Sequence, residues 1–141
     1  MSKTELEQKA KAFVLKLEQT KRIESSFNVL TQLHSPIIIL SGTLDCIAEE
    51  VGKRLQATAV YASPLEYHNG ICTGRLKKDI LFRKQQYVNT TPFAILTDNT
   101  TDIALVKRAE KAFIVCYSNK EWWEKQDIKN AKYQQEYDTR Y

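Results

Sequence analysis

Leu6, Ala10, Phe13, Val14 and Leu17 recur at three- and four-residue spacing, the signature of one helical face, and predict a helix from Thr4 to about Gln19. Ser25 or Ser26 can cap a second, shorter helix carrying Phe27, Leu30 and Leu33. The pattern then changes. Pro36-Ile37-Ile38-Ile39-Leu40 is a continuous, largely β-branched run and predicts a strand buried on both faces, as in a parallel sheet. Ser41-Gly42-Thr43 ends it and opens directly into a helix marked by Leu44, Ile47, Ala48, Val51 and Leu55. Thr58 to Ala62 reads as a second strand. Asn69-Gly70, flanked by strand formers within residues 65–76, predicts a two-residue hairpin turn. Residues 77–87 read as helix, 93–96 as a third buried strand, 102–111 as helix and 112–117 as a fourth strand. Strands alternating with helices predict an α/β layered domain with a largely parallel sheet. Tyr133, Tyr137 and Tyr141 would align on one helical face, so residues 121–141 are expected to form a C-terminal helical extension with Trp122 and Trp123 at its root.

Length and composition narrow the class. The 141 residues fit one domain, large enough to fold without disulfides or a structural metal. Hydrophobic residues at 43% and charged residues at 27% exclude a disordered tail protein. The longest apolar run, Pro36 to Leu40, is far short of the ~20 residues of a membrane helix, and no apolar segment follows the first lysine as in a signal peptide. Cys46, Cys72 and Cys116 are an odd number without tight spacing, so a cytoplasmic protein with reduced thiols and no membrane association is expected. With His34 and His68 they lack the paired-ligand spacing of a zinc site. The net charge of +4 permits nucleic acid without arguing for it. Arg75, Lys77, Lys78, Arg83 and Lys84 form the densest basic stretch, which reads first as a solvated face. A nucleic-acid-binding role would require affinity that falls steeply with salt, and no RNA-module aromatic motif accompanies the stretch.

In parallel sheets, sites lie at the carboxyl ends of strands. At the first such end, Ser41, Gly42 and the start of a helix could receive an anion such as phosphate, or Ser41 could simply cap the helix. At the third, Asp98 and Asp102 could hold a hard cation such as Mg²⁺ through oxygen. Alternatively Asp98 caps the turn and Asp102 complements the positive end of the next helix. Lys77 follows the hairpin and either reaches solvent or meets an anion.

Taken in order, these segments resemble the haloacid-dehalogenase-like hydrolase superfamily, in its phosphoserine-phosphatase-like branch, from about Ala12 to Tyr117. Ile37-Ile38-Ile39-Leu40-Ser41-Gly42 looks like the family's second motif, which implies that the Ser41 hydroxyl binds the transferring phosphoryl group. Glu66, Gly70, Thr73 and Gly74 match its hairpin pattern. Lys77-Lys78-Asp79-Ile80-Leu81 looks like the third motif, whose lysine neutralises phosphate; Lys77 is the expected residue and Lys78 the reserve. Thr97-Asp98-Asn99-Thr100-Thr101-Asp102 looks like the fourth motif, which implies Asp98 as a Mg²⁺ ligand and Asp102 as support for a metal water or the lysine. Thr97 stands where the family usually has glycine and would add bulk beside the metal. The implied fold is a truncated Rossmann-like, haloacid-dehalogenase-like parallel sheet with flanking helices and a β-hairpin. It would span residues 1–120, with residues 1–20 resembling the tail of the family's cap.

The family's chemistry also needs a strand ending in Asp-x-Asp, whose carboxylates attack phosphorus and protonate the leaving group. None of the six aspartates (Asp45, Asp79, Asp98, Asp102, Asp127, Asp138) stands in that spacing. Asp45 follows the serine but suits a helix cap better than a nucleophile. The resemblance places the missing strand centrally, beside the strands ending at Ser41 and Asp98. Unpaired backbone groups there would each cost ~1–3 kcal/mol, so the gap should close. It closes by direct pairing of the flanking strands, by a rearranged sheet within a homodimer, which is preferred, or by a partner chain supplying Asp-x-Asp. The expected protein is a phosphatase remnant, incompetent alone, acting as a binding or interaction protein with a phosphorylated small molecule among its possible ligands. The alternative is a Mg²⁺-dependent phosphomonoester hydrolase completed by that partner chain.

Overall fold

The computed structural model describes residues 1–21 and 24–136, which form two compact units, residues 1–87 and 88–141. The first unit opens with α1 (Lys3–Lys21). Its start is fixed by a capping box: Ser2 Oγ accepts from the Glu5 amide at 3.3 Å, and the Glu5 carboxylate accepts from the Ser2 amide at 2.7 Å. The Ser2 amide and the Ser2 hydroxyl both donate to the Glu5 carboxylate and hold it below its usual range. Of the apolar face expected for α1, Ala10 and Val14 are buried, whereas Phe13 and Leu17 stay exposed. The second helix, α2 (Glu24–Gln32), encloses Ser25 and Ser26, so neither precedes it as a cap, and it stops before Leu33.

Strand β1 (Ile38–Leu44) runs parallel to β2 (Ala59–Ser63), as the continuous β-branched pattern predicts. The strand is not buried on both faces: none of its residues is fully buried and Ile38 is exposed, because β1 has a single strand partner among the described residues, β2. It does not end at Leu40. Leu40 pairs with Tyr61 and Leu44 with Ser63, so β1 spends extra residues at Ser41-Gly42-Thr43 and the register shifts there. Such a bulge re-aims side chains. The next helix, α3 (Asp45–Arg54), therefore begins three residues after Gly42, and its N-cap Leu44 makes no side-chain cap. A core of Ala10, Cys46 and Leu65, with Leu6, Ile47 and Tyr67 against it, joins α1, α3 and the hairpin, and an Arg54–Glu18 ion pair links α3 to α1.

Gly52 lets α3 lie close on β2: a Cβ there would stand 2.4 Å from Val60 Cγ2. Alanine normally exceeds glycine by ~1 kcal/mol in a helix interior, but overpacking a stiff β-branched neighbour costs ~1–3 kcal/mol. Gly52→Ala is therefore expected to lower the urea midpoint, and adding Val60→Ala should recover part of the loss. A midpoint raised by Gly52→Ala alone would show that Val60 yields without cost.

The hairpin comprises β3 (Leu65–His68) and β4 (Ile71–Leu76), antiparallel. Asn69 and Gly70 have φ of 49° and 79°, the two positive values of a type I′ turn, as the Asn-Gly pair predicts. The helix expected over 77–87 does not form; only Lys84–Tyr87 closes into a 3-10 turn. The backbone donors of this segment are taken elsewhere. The Lys77 amide donates to Pro64 O at 2.7 Å, the Ile80 amide to Ser63 Oγ at 3.2 Å and the Leu81 amide to the Asp79 carboxylate at 2.9 Å. Side-chain acceptors of this kind compete with helix formation.

In the second unit, β5 (Ala94–Thr97), β6 (Lys111–Cys116) and β7 (Ala131–Gln135) form a parallel sheet in the order β5-β6-β7. A 3-10 turn (Thr100–Asp102) leads into α4 (Ile103–Arg108), and α5 (Lys120–Glu124) precedes β7. Val106, Ala112, Ile114, Cys116 and Trp123 make the core. The helical extension expected over 121–141 is thus corrected to one short helix followed by a strand. Tyr133 lies on β7; Tyr137 and Tyr141 fall outside the described residues. A spacing of four is a multiple of two, so it satisfies the strand period as well as the helical one, and packing of Ala131 and Tyr133 on the Trp123 core selects the strand. No helix among the described residues is long and apolar enough to cross a membrane.

Candidate functional site

The expected phosphate residues lie on the β1 bulge. Ser41 is half-buried, and its Oγ accepts a hydrogen bond from the Thr43 amide at 3.1 Å. Its hydroxyl proton has no acceptor among the described residues, so it is available to an incoming anion. Gly42 is where the chain must lack a side chain: a Cβ would stand 2.7 Å from Leu81 Cδ1 and 3.2 Å from Leu81 Cα. Ser63, fully buried at the end of β2, ties the two segments together by donating to Gly42 O at 3.1 Å while accepting from the Ile80 amide.

The expected helix N-terminus at Ser41 is not there. Asp45 occupies the first turn of α3, where its carboxylate accepts from the Cys46 amide at 2.8 Å and the Leu65 amide at 3.3 Å. An acid already fills the positive end of the helix, which removes the helix dipole from the anion argument and confirms Asp45 in a structural role. Burial, reinforced by the Asp45 charge, pushes the Cys46 thiol up, and burial does the same to Cys116, so neither is poised as a nucleophile. All three cysteines are free.

Lys77 is exposed, as is Lys78, whose ammonium stands 5.4 Å from the centre of the Tyr87 ring. The segment after the hairpin reaches Gly42 through Leu81 rather than through either lysine. Its buried cation is Lys84, 7% exposed, on the 3-10 turn that packs against β1. Sequence reasoning placed Lys84 only in the basic stretch. No local sequence signal marks it, because its burial comes from packing of the 3-10 turn against β1. Of the hairpin residues carrying the family resemblance, Thr73 donates across the strands to the Glu66 carboxylate at 2.7 Å, and Gly74 shares with Gly70 a φ of 79°.

In the second unit, Asp98 and Asp102 have different environments. Asp98 is exposed at the carboxyl end of β5 and makes no hydrogen bond or ion pair among the described residues. Asp102 is 7% exposed and accepts from Thr97 Oγ1 at 2.7 Å. Thr97 therefore clamps Asp102 rather than merely adding bulk, and its hydroxyl also accepts from the Asn99 amide at 3.0 Å. The turn is capped by Asn99, whose side chain accepts from the Thr101 amide at 3.0 Å, and not by Asp98. Among the described residues, no group of three or more His, Cys, Asp or Glu side chains gathers in a way that could hold a metal ion.

No protein-family model and no curated protein sequence matches this chain. Solved structures do. One is a probable phosphoserine phosphatase from Vibrio cholerae in its unliganded form, with TM-score 0.53 and 21% identity over 74% of this chain and 36% of that one. Another is a haloacid-dehalogenase family hydrolase from Salmonella enterica serovar Typhi, with TM-score 0.52 and 14% identity over 75% of this chain and 39% of that one. The α/β fold is thus haloacid-dehalogenase-like, with Rossmann-like parallel pairing. The chain spans little more than a third of the length of either structure.

Proposed function

We propose that this chain is a phosphate-binding remnant of the haloacid-dehalogenase-like phosphatase fold, which does not hydrolyse phosphomonoesters by itself and serves as a binding or interaction protein. The observation that carries this reading is a binding residue kept without its nucleophile. Ser41 retains an uncommitted hydroxyl proton on the β1 bulge, while the 141 residues contain no Asp-x-Asp. The hydroxyl would donate to a phosphoryl oxygen, with the Lys77 ammonium supplying charge. Without the paired carboxylates, no group attacks phosphorus or protonates the leaving oxygen.

Carboxylate oxygens suit Mg²⁺, which is commonly held by one or two carboxylates with waters and phosphates completing the shell. The uncommitted Asp98 carboxylate would hold it, and Asp102, fixed by Thr97, would support the turn on which Asp98 sits. A second reading is favoured by topology: β1 belongs to a two-stranded sheet and β5 ends its three-stranded one. Each has an edge that an added strand can pair. A partner chain bringing Asp-x-Asp would restore hydrolysis, whereas a second copy of this chain would pair such an edge without restoring it.

Phosphate release from p-nitrophenyl phosphate, with and without Mg²⁺, tests the reading on the wild-type chain and Asp98→Asn. The expected result is no metal-dependent turnover above the variant. Inorganic phosphate should shift the Ser41 and Gly42 amide resonances, and Ser41→Ala should remove that response. Metal-dependent turnover lost in Asp98→Asn would overturn the claim of incompetence, and unshifted amides would overturn the claim of binding.

A further inference from the structure

A cavity of about 190 Å³ in the first unit opens beside the start of α3. Asp45 and Glu49, one helical turn apart, line it together with Tyr61 of β2 and Tyr87 of the 3-10 turn, over apolar surface from Val60 and Ala62. The two tyrosine rings lie 5.1 Å apart between centroids, tilted by 42°. Asp45 is held by the Cys46 and Leu65 amides. Glu49 is exposed and makes no hydrogen bond or ion pair among the described residues.

Ring faces and carboxylates select the same ligand charge, since a cation is attracted both by the ring quadrupole and by the acid. The chain demonstrates this itself: the Lys78 ammonium stands 5.4 Å from the centre of the Tyr87 ring. Pockets for drug-sized ligands occupy ~300–1,000 Å³. The smaller volume here suits one ammonium-bearing chain.

We propose that this cavity binds the ammonium group of a small organic cation, supplied by a free alkylamine or by a lysine side chain of a partner. Tyr61 and Tyr87 form the wall and Glu49 supplies the counter-charge. The inference is independent of phosphate binding at Ser41 and survives if that reading fails.

The test is an NMR titration of the ¹⁵N-labelled full chain with n-butylammonium chloride, against n-butanol and against sodium chloride at matched ionic strength. Saturable amide shifts are expected at Glu49, Tyr61, Ala62 and Tyr87 with the ammonium alone. Glu49→Gln, an exposed and near-isosteric change, should weaken binding by about three- to ten-fold. An N-acetylated Gly-Lys-Gly peptide binding more tightly than butylammonium assigns the ammonium to a protein side chain; weaker binding assigns it to a free amine. Equal shifts with butanol, the absence of saturation, or wild-type affinity in Glu49→Gln would each overturn the proposal.

Discussion

Replacing Ser63 by alanine will destabilise the first unit by about 2–4 kcal/mol, because two buried backbone groups lose their partner together. The Ser63 hydroxyl donates to Gly42 O at 3.1 Å and accepts from the Ile80 amide at 3.2 Å, and the residue is fully buried. Alanine keeps nearly the same volume, so the loss is polar rather than a cavity effect. Urea unfolding should show a midpoint lowered by about 1–4 M at an ordinary slope of ~1–2 kcal/mol/M. In the folded fraction, the Ile80 and Leu81 amides should exchange with solvent faster, since the segment they head loses its tie to β1. A midpoint unchanged from wild type would refute the bridging role.

Trp123→Ala should be the most damaging single change in the second unit. Trp123 is 0% exposed, lies edge-on to Trp122 with centroids 5.1 Å apart, and packs with Val106, Ala112, Ile114 and Cys116. Truncating a buried tryptophan costs ~3–5 kcal/mol, a large part of the ~5–15 kcal/mol that holds a whole domain folded. The expected outcome is loss of cooperative unfolding for residues 88–136, seen as collapsed amide dispersion for the β5-β6-β7 sheet. Trp123→Phe provides the comparison. The indole Nε1 is buried with no hydrogen-bond partner among the described residues, and an unsatisfied buried donor costs ~1–3 kcal/mol. Phenylalanine removes that donor along with some apolar area, so the net loss should stay below about 1.5 kcal/mol. A loss as large as that of alanine would show that the indole ring, not the apolar volume, sets the packing.

The site was legible only in part, for reasons that differ by residue. Asn69-Gly70 announced its turn because both positions require positive φ, a constraint that belongs to those residues wherever they stand. Ser41-Gly42 stands out in the chain as a strand end, but its geometry does not: a bulge exists only relative to the strand beside it, and the register that creates it lies in Tyr61 and Ser63. Asp98 and Asp102 looked alike in the chain. Their difference, one exposed and one buried against the Thr97 hydroxyl, comes from where the 3-10 turn folds them. Lys84 was passed over for Lys77 because burial of a cation carries no local sequence signature.

The sequence by itself determined the alternation of helices and strands, the parallel character of the continuous β-branched strands, the hairpin turn and the haloacid-dehalogenase-like resemblance, because each depends on local period or residue chemistry. It also determined that these 141 residues hold no Asp-x-Asp. Tertiary structure alone decided that β1 bulges on to Leu44, that residues 77–83 give their amides to Pro64, Ser63 and Asp79 instead of to a helix, and that Tyr133 lies on a strand. Those outcomes depend on hydrogen-bond acceptors and apolar surface brought from distant positions, and such long-range partners override a local preference worth only a few tenths of a kcal/mol to ~1 kcal/mol per residue.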